Sequence, residues 1–278
     1  MAIILDGKKL RDKILAELKK KIDKYEVKPT LSVILVGENP ASKIYVNNKH
    51  KIAEKIGIKS EIIQFPQNVS EKELIQKIEE LNNDVKVNAI LVQLPLPEHI
   101  SKENIINSIK PEKDVDGFTP YNFGKLFSGE KPIVYPCTPK GILLLLDEYG
   151  INVCGKHAVV IGRSKIVGKP VAQMLLDRNA TVTICHSHTE NLENITKTAD
   201  IIISAVGKNI IKGKMLKSDC IIVDVGIFKD EYGKTRGDVD FETSSKIASY
   251  ISPVPGGVGP MTITSLMLNT VELYEKSL

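Results

Sequence analysis

Tyr45 and Lys49 stand four residues apart in the segment that follows Pro40. On a helix that spacing projects both side chains from one face, about one turn apart. A lysine presented in this way is a candidate base, although it can accept a proton only as the free amine. The same pair is also an ordinary feature of an amphipathic helix. Gln93 lies near the end of the apolar run Ala89–Leu94, just before Pro95. The run predicts a buried strand and the proline stops further ladder pairing, so the amide must face whatever lies beyond the sheet edge. Asp114-Val115-Asp116-Gly117 follows in a loop. It reads either as a functional loop or as a plain Asp-Gly turn.

A second group of residues could hold a dinucleotide. Gly162-Arg163-Ser164-Lys165-Ile166-Val167-Gly168-Lys169-Pro170 follows an apolar strand and opens a helix, the setting of a phosphate-binding turn. It departs from G-x-G-x-x-G, because Ser164 replaces the second glycine and Gly168 falls one place late. A tight strand-to-helix turn without a ligand is the other reading. A P-loop is excluded by the longer spacing and by Pro170, which stands where a magnesium-binding hydroxyl is required. The next strand, Thr181 onward, carries no acid for a ribose 2′-hydroxyl but ends in His186-Ser187-His188. With Arg163 nearby, imidazole, hydroxyl and guanidinium suit a 2′-phosphate, so the expected cofactor is NADP rather than NAD. His186 and His188 lack a third ligand, and no metal is expected. Tyr-x-x-x-Lys is also the catalytic pair of short-chain dehydrogenases, where it follows the nucleotide turn. Here it precedes the turn by more than 100 residues, which excludes that reading.

These residues need elements to position them. The first half alternates helix and strand: a helix from Lys8 to Tyr25, an apolar run Leu31–Val36 and a helix Ala41–Ile56. Strand Ile62–Phe65, helix Ser70–Leu81 and strand Ala89–Leu94 continue it. Periodicity fades between Pro95 and Pro139, which marks a domain boundary and a cleft wall. A second series follows: helix Gly141–Tyr149, strand Ala158–Ile161, helix Val167–Arg178, and strands Thr181–Cys185, Ile201–Ala205 and Ile221–Val225. The last 18 residues form one amphipathic helix with Pro260 at its start. The expected fold is α/β: two α/β domains flanking a cleft, the second a Rossmann-type dinucleotide-binding domain. Residues 1–138, rejoined by helix 260–278, form the first domain, and residues 139–259 the second.

Composition excludes several classes. In 278 residues, 42% are hydrophobic and 26% charged, which is globular composition and fits two domains. No apolar run approaches the ~20 residues that span a bilayer, and nothing suggests export. Cys137, Cys154, Cys185 and Cys220 fit neither a zinc pair nor a dense disulfide framework, so free thiols in a cytoplasmic setting are expected. Basic residues exceed acidic ones only by 38 to 34, aromatics are 5% and Trp is absent, which argues against nucleic-acid binding. Only Arg11, Arg163, Arg178 and Arg236 are arginines, so an arginine in the turn stands out against a lysine-rich background.

Taken in order, the segments VGENPASKIYVNNK, ILVQLPLP, KDVDGFTP, PCTPKG, VVIGRSKIVGKPVAQML, TVTICHSHT, ADIIISAVGK, VDVGI and PVPGGVGPMT resemble one family along nearly the whole chain. That family is the bifunctional methylenetetrahydrofolate dehydrogenase/cyclohydrolase. The resemblance implies oxidation of 5,10-methylenetetrahydrofolate with NADP, then hydrolysis of the methenyl cation to 10-formyltetrahydrofolate. It implies that Lys49 is the cyclohydrolase lysine supported by Gln93, that Tyr45 orients the p-aminobenzoyl region, and that Asp116 bonds the pterin amino edge. Gly162, Arg163, Ser164, Gly168, Ser187 and Ile227 match its cofactor site. Pro255, Gly256, Gly257, Val258, Gly259 and Pro260 match its loop beside the folate. Relatives are commonly dimers joined through their nucleotide domains, so a homodimer is expected. Another two-domain dehydrogenase would not explain Tyr45, Lys49, Gln93 and Asp116 together, and a non-catalytic dinucleotide sensor would not need Lys49 and Asp116.

Overall fold

The structure, a computed structural model, describes residues 2–278. The chain divides into two compact units. One holds the chain up to Lys13 together with Thr138–Ser265, and the other holds Ile14–Cys137 with Leu266–Leu278. Both divisions fall inside helices: α1 (Gly7–Ile22), which follows the short strand β1 (Ile3–Ile4), and the final helix Val258–Lys276. This differs from the expected division at 138/139 and 259/260. β1 pairs in parallel with Tyr250–Ile251, and Leu5 N donates to Ile251 O at 2.9 Å, so the N-terminal residues complete the later sheet. Two residues are too few to show a period, which is why the sequence pattern does not announce them.

The unit that carries Lys49 is built on a three-stranded parallel sheet. Its elements are β2 (Thr30–Val36), α2 (Pro40–Ile56), β3 (Lys59–Phe65), α3 (Glu71–Asn83), β4 (Ala89–Val92), α4 (Lys102–Ser108) and α5 (Pro120–Phe127). The strand order is β3-β2-β4, with Ile34 opposite Val92. β4 reads as an unbroken apolar run, and β2 as one interrupted after Thr30 only by the buried Ser32, because both faces of a parallel sheet are covered. One face packs Ile34, Val36, Ile90 and Val92 against Leu74, Ile78 and Leu81 of α3 and Ile105 of α4. The stretch where periodicity fades therefore contains two helices, of seven and eight residues. Each makes about two turns, too short for a 3.6-residue pattern to repeat.

The other unit holds a six-stranded parallel sheet. After α6 (Cys137–Glu148) come β5 (His157–Ile161), α7 (Gly168–Leu176), β6 (Thr181–Cys185), α8 (Leu192–Thr196), β7 (Ile201–Ser204) and β8 (Ile221–Asp224). A hairpin of β9 (Phe228–Lys229) and β10 (Thr235–Arg236), then α9 (Phe241–Ser244), β11 (Tyr250–Ile251) and α10 (Val258–Lys276) follow. The order is β1-β11-β8-β7-β5-β6. The chain runs from β5 outward to β6 and then crosses back to β7, so the strand order reverses beside β5. A doubly wound sheet binds ligands at that point, outside the carboxyl ends of its strands.

Asn269, on the part of α10 that belongs to the Lys49 unit, is fully buried. Its Nδ2 donates to the carbonyls of Val115 and Tyr135, each at 2.9 Å, and so holds the Asp116 loop against the segment before α6. We expect Asn269→Leu to leave both carbonyls unpaired and to lower unfolding free energy by about 2–5 kcal/mol, read by denaturant titration. A loss under about 0.5 kcal/mol, the range of ordinary surface changes, would refute this clamp.

Candidate active site

Lys49 is positioned by a helix with well-defined ends. Asn39 caps α2 by accepting from Ser42 N at 3.1 Å, Pro40 supplies the first turn, and Gly57 at φ 92° closes it. Buried Ser42, Val46, Ala53 and Ile56 form the inward stripe, and Lys49 falls between Val46 and Ala53 on that same stripe. A half-buried lysine on the core-facing row needs an acceptor for its amine. Its Nζ donates to Gln93 Oε1 at 2.9 Å. Tyr45, 46% exposed, stands one turn earlier on the outer flank of that row.

Gln93 is fixed from three directions. Its N–H donates to Ile34 O at 2.9 Å, extending the ladder one residue past β4, and the Leu94–Pro95 peptide beyond it is cis. Its Nε2 donates to Leu94 O at 2.6 Å. The amide nitrogen is thereby occupied, and the oxygen is the end presented to Lys49.

The Asp114–Gly117 segment is both a turn and a carboxylate pair. Gly117, at φ 69°, donates its N–H to Asp114 O at 3.3 Å. Asp114 is buried, and its Oδ2 accepts from Thr119 N at 2.7 Å and Asn122 Nδ2 at 3.0 Å, so it builds the loop. Asp116 is half-buried. Burial pushes its carboxyl above the ordinary range, with Asp114 adding to the rise, while Lys49, a hydrogen bond with Cys137 and the charge of Lys102 pull the other way. Asp116 also lines a cavity of about 20 Å³ with Leu94, Ile106 and Phe118. That space suits a water molecule and is too small for a ring. Lys49, Gln93 and Asp116 are thus one electrostatic cluster, with Tyr45 at its edge. Cys137 and Asn269 support it, and no sequence spacing points to either.

The nucleotide turn lies in the other unit, at the carboxyl end of β5. Gly162 has φ 117°, and a Cβ there would lie 2.7 Å from Ala205 O at the end of β7. A Cβ on Gly168 would overlap Gly162 O, so both glycines are required for close packing. Ser164 shows why the motif is irregular. Its Oγ accepts from Val167 N at 3.1 Å and Gly168 N at 3.4 Å, and its carbonyl accepts from Lys169 N at 3.0 Å. Pro170 has no N–H, so Ser164 takes the first amides of α7 that a phosphate would otherwise use. The helix end still offers its positive potential.

Arg163 and Ser187 are exposed, and Ser187 sits in the turn after β6. His186 N donates to Thr189 Oγ1 at 2.8 Å, and His188 N bonds to His186 Nδ1 at 3.2 Å. Burial and the charges of Arg163 and His188 push the His186 imidazole below its usual range. An arginine beside two imidazoles in this way suits an anion. Ile227, 50% exposed, follows β8. Of the 255–260 segment, Gly256 has φ 119°, its carbonyl accepts from Lys8 N at 3.1 Å, and Gly257 N donates to Pro253 O at 2.8 Å. Pro260 lies inside the first turn of α10, which begins at Val258. Among the described residues, no group of three or more His, Cys, Asp or Glu side chains is placed to hold a metal ion. No described helix is long and apolar enough to cross a membrane.

Residues 5–116 match the tetrahydrofolate dehydrogenase/cyclohydrolase catalytic domain, and residues 136–278 match the NAD(P)-binding domain of the same family. The chain belongs to the tetrahydrofolate dehydrogenase/cyclohydrolase family. The bifunctional protein FolD of Lactococcus lactis is 52% identical over 279 residues, covering 99% of this chain and 98% of that protein. The solved structure of the bifunctional FolD methylenetetrahydrofolate dehydrogenase/cyclohydrolase of Campylobacter jejuni is 50% identical. It aligns with a TM-score of 0.98 over 100% of both chains. A Trypanosoma brucei family member, solved with NADP cofactor and an inhibitor, is 37% identical with a TM-score of 0.95, covering 99% of this chain and 98% of that one. The family's two named domains correspond to the Lys49-bearing and Gly162-bearing parts of the chain.

Proposed function

We infer that this chain oxidises 5,10-methylenetetrahydrofolate with NADP and hydrolyses the product to 10-formyltetrahydrofolate. The observation that carries the second half is the Lys49–Gln93 hydrogen bond beside Asp116, an amine held on a core-facing helix row. Full-length membership of a family with both named domains carries the first.

Bound NADP supplies the hydride acceptor. Hydride loss from the methylene bridge leaves an amidinium-type cation shared by two nitrogens, so the protein's task there is alignment rather than proton transfer. The Gly162 turn and Gly168 would admit the pyrophosphate, with Ser164 keeping the turn closed. Arg163, His186 and Ser187 would hold the 2′-phosphate, and Ile227 would pack on the cofactor. Hydrolysis is different. Water attacking the cation loses a proton and the departing ring nitrogen gains one, and Lys49 is placed to pass that proton while Gln93 aims it. Asp116 would accept from the pterin amino edge, and Tyr45 would orient the p-aminobenzoyl region. The segment Pro255–Pro260 would contribute a loop beside the folate.

Purified protein given methylenetetrahydrofolate with NADP or NAD, with reduced nicotinamide and methenyl-folate followed separately, tests the whole reading. Absence of both products would reject it. Asp116→Ala should weaken folate binding by about 1–3 kcal/mol, since pterin donors lose their acceptor. Unchanged folate affinity and turnover would contradict the role. Four free thiols fit a reducing cytoplasmic setting, and family resemblance supports a homodimer joined through NAD(P)-binding units.

A further inference from the structure

The NAD(P)-binding unit buries two acids that take no part in the chemistry above. Asp224, the last residue of β8, is 3% exposed, and Asp238 is fully buried. Their hydrogen-bond partners are backbone N–H groups and one hydroxyl. Asp224 Oδ1 accepts from Gly226 N at 3.1 Å and Asp238 N at 2.9 Å, and its Oδ2 accepts from Val239 N at 3.0 Å. Asp238 Oδ2 accepts from Ser204 Oγ at 2.8 Å and Val206 N at 2.7 Å, and its Oδ1 from Lys208 N at 2.8 Å. Asp224 therefore ties together the two ends of the 226–237 excursion that carries the β9–β10 hairpin. Asp238 ties that excursion to the loop after β7.

The fit leaves no slack. A Cβ on Gly226 would overlap the Asp238 carboxylate, and one on Gly237 would overlap the Asp224 carboxylate. Each acid fills the space beside a glycine that lies within two residues of the other in the chain. Two buried carboxylates that interact through one set of loops are costly to keep charged. Burial pushes Asp224 up to about 7, with Asp238 adding to the rise, even though three N–H donors pull down. Holding two loops together could be done with neutral groups at lower cost, but not with acceptors at both ends of each side chain. An Asn would turn an NH₂ toward N–H donors.

What the two acids hold is the cofactor edge. A Cβ on Gly207 would lie 3.8 Å from Ile227 O, and Gly162 packs on Ala205, so the loops after β5, β7 and β8 lie side by side. This is the carboxyl edge at which the strand order reverses.

We propose that Asp224 and Asp238 are positioning residues for the dinucleotide, fixing loops 205–208 and 226–227 in the arrangement that receives NADP. The inference rests on the NADP reading given above. It is tested with Asp238→Asn and Asp224→Asn in the full chain, measuring KM for NADP, KM for methylenetetrahydrofolate, kcat and methenyl-folate hydrolysis. The NADP KM should rise about tenfold or more, the loss of one or two charge-assisted bonds. At saturating NADP, kcat and the folate KM should stay within about twofold, with hydrolysis unchanged. A merely structural role would instead lower kcat through the active fraction while leaving the NADP KM alone, and that result overturns the proposal. Should both variants fail to fold by circular dichroism, Ser204→Ala decides, because it removes only the hydroxyl donor to Asp238. A rise of about threefold in NADP KM supports the proposal, and an unchanged KM overturns it. If the parent protein neither binds nor reduces NADP, the NADP reading fails first and this inference falls with it.

Discussion

Lys49→Met should lower methenyl-folate hydrolysis by about 10²- to 10⁴-fold, the usual worth of a positioned proton-transfer group. Methionine keeps most of the side-chain length on the α2 row but has no proton to give or take. Gln93 Oε1 would lose its Lys49 partner, so Gln93→Leu in the same background should add little further loss. NADP reduction should persist, because hydride departure requires no proton transfer, and methenyl-folate should accumulate as reduced nicotinamide forms. Following both species in one cuvette distinguishes the outcomes. Hydrolysis at the parent rate would remove Lys49 from the mechanism. Loss of both activities together would mean that Lys49 holds the folate rather than serving the second step.

Arg163→Ala should raise the KM for NADP by about 10- to 100-fold, the loss of charge-assisted bonds to a phosphate. The KM for NAD should change by no more than about threefold, since NAD has no 2′-phosphate. Burial, with the charges of Arg163 and His188, holds the His186 imidazole below its usual range, and a bound anion would oppose that shift. Steady-state kinetics with each cofactor at fixed folate gives the ratio. Equal losses for both would move the 2′-phosphate away from Arg163.

Much of this arrangement could be read from the chain itself. The runs of β2, β4, β5 and β7 are almost wholly apolar because both faces of each strand are covered, and their alternation with helices marks a parallel sheet. Lys49 and Gln93 are 44 residues apart, yet one sits four after Tyr45 on a capped helix and the other at a strand end before a proline. Their meeting follows from the register Ile34↔Val92. What stayed hidden has a common cause. β1, β11 and the β9–β10 hairpin are two residues per strand, and α4 and α5 are about two turns each, so no period accumulates. Ser164 looked like a lapse from a glycine pattern, and only its bonds to Val167, Gly168 and Lys169 show it closing the turn. Asp224, Asp238, Asn269 and Cys137 act through contacts that spacing cannot encode.

The late pairing of β1 with β11 and the late arrival of α10 bear on how the chain matures during synthesis. β1 waits for Tyr250 and Ile251 before it has a partner. The Val115 and Tyr135 carbonyls, made midway, wait for Asn269. A nascent chain stalled before Tyr250 would therefore leave β1 without its sheet partner and both carbonyls without Asn269, so neither unit is complete until residues 250–269 have been made.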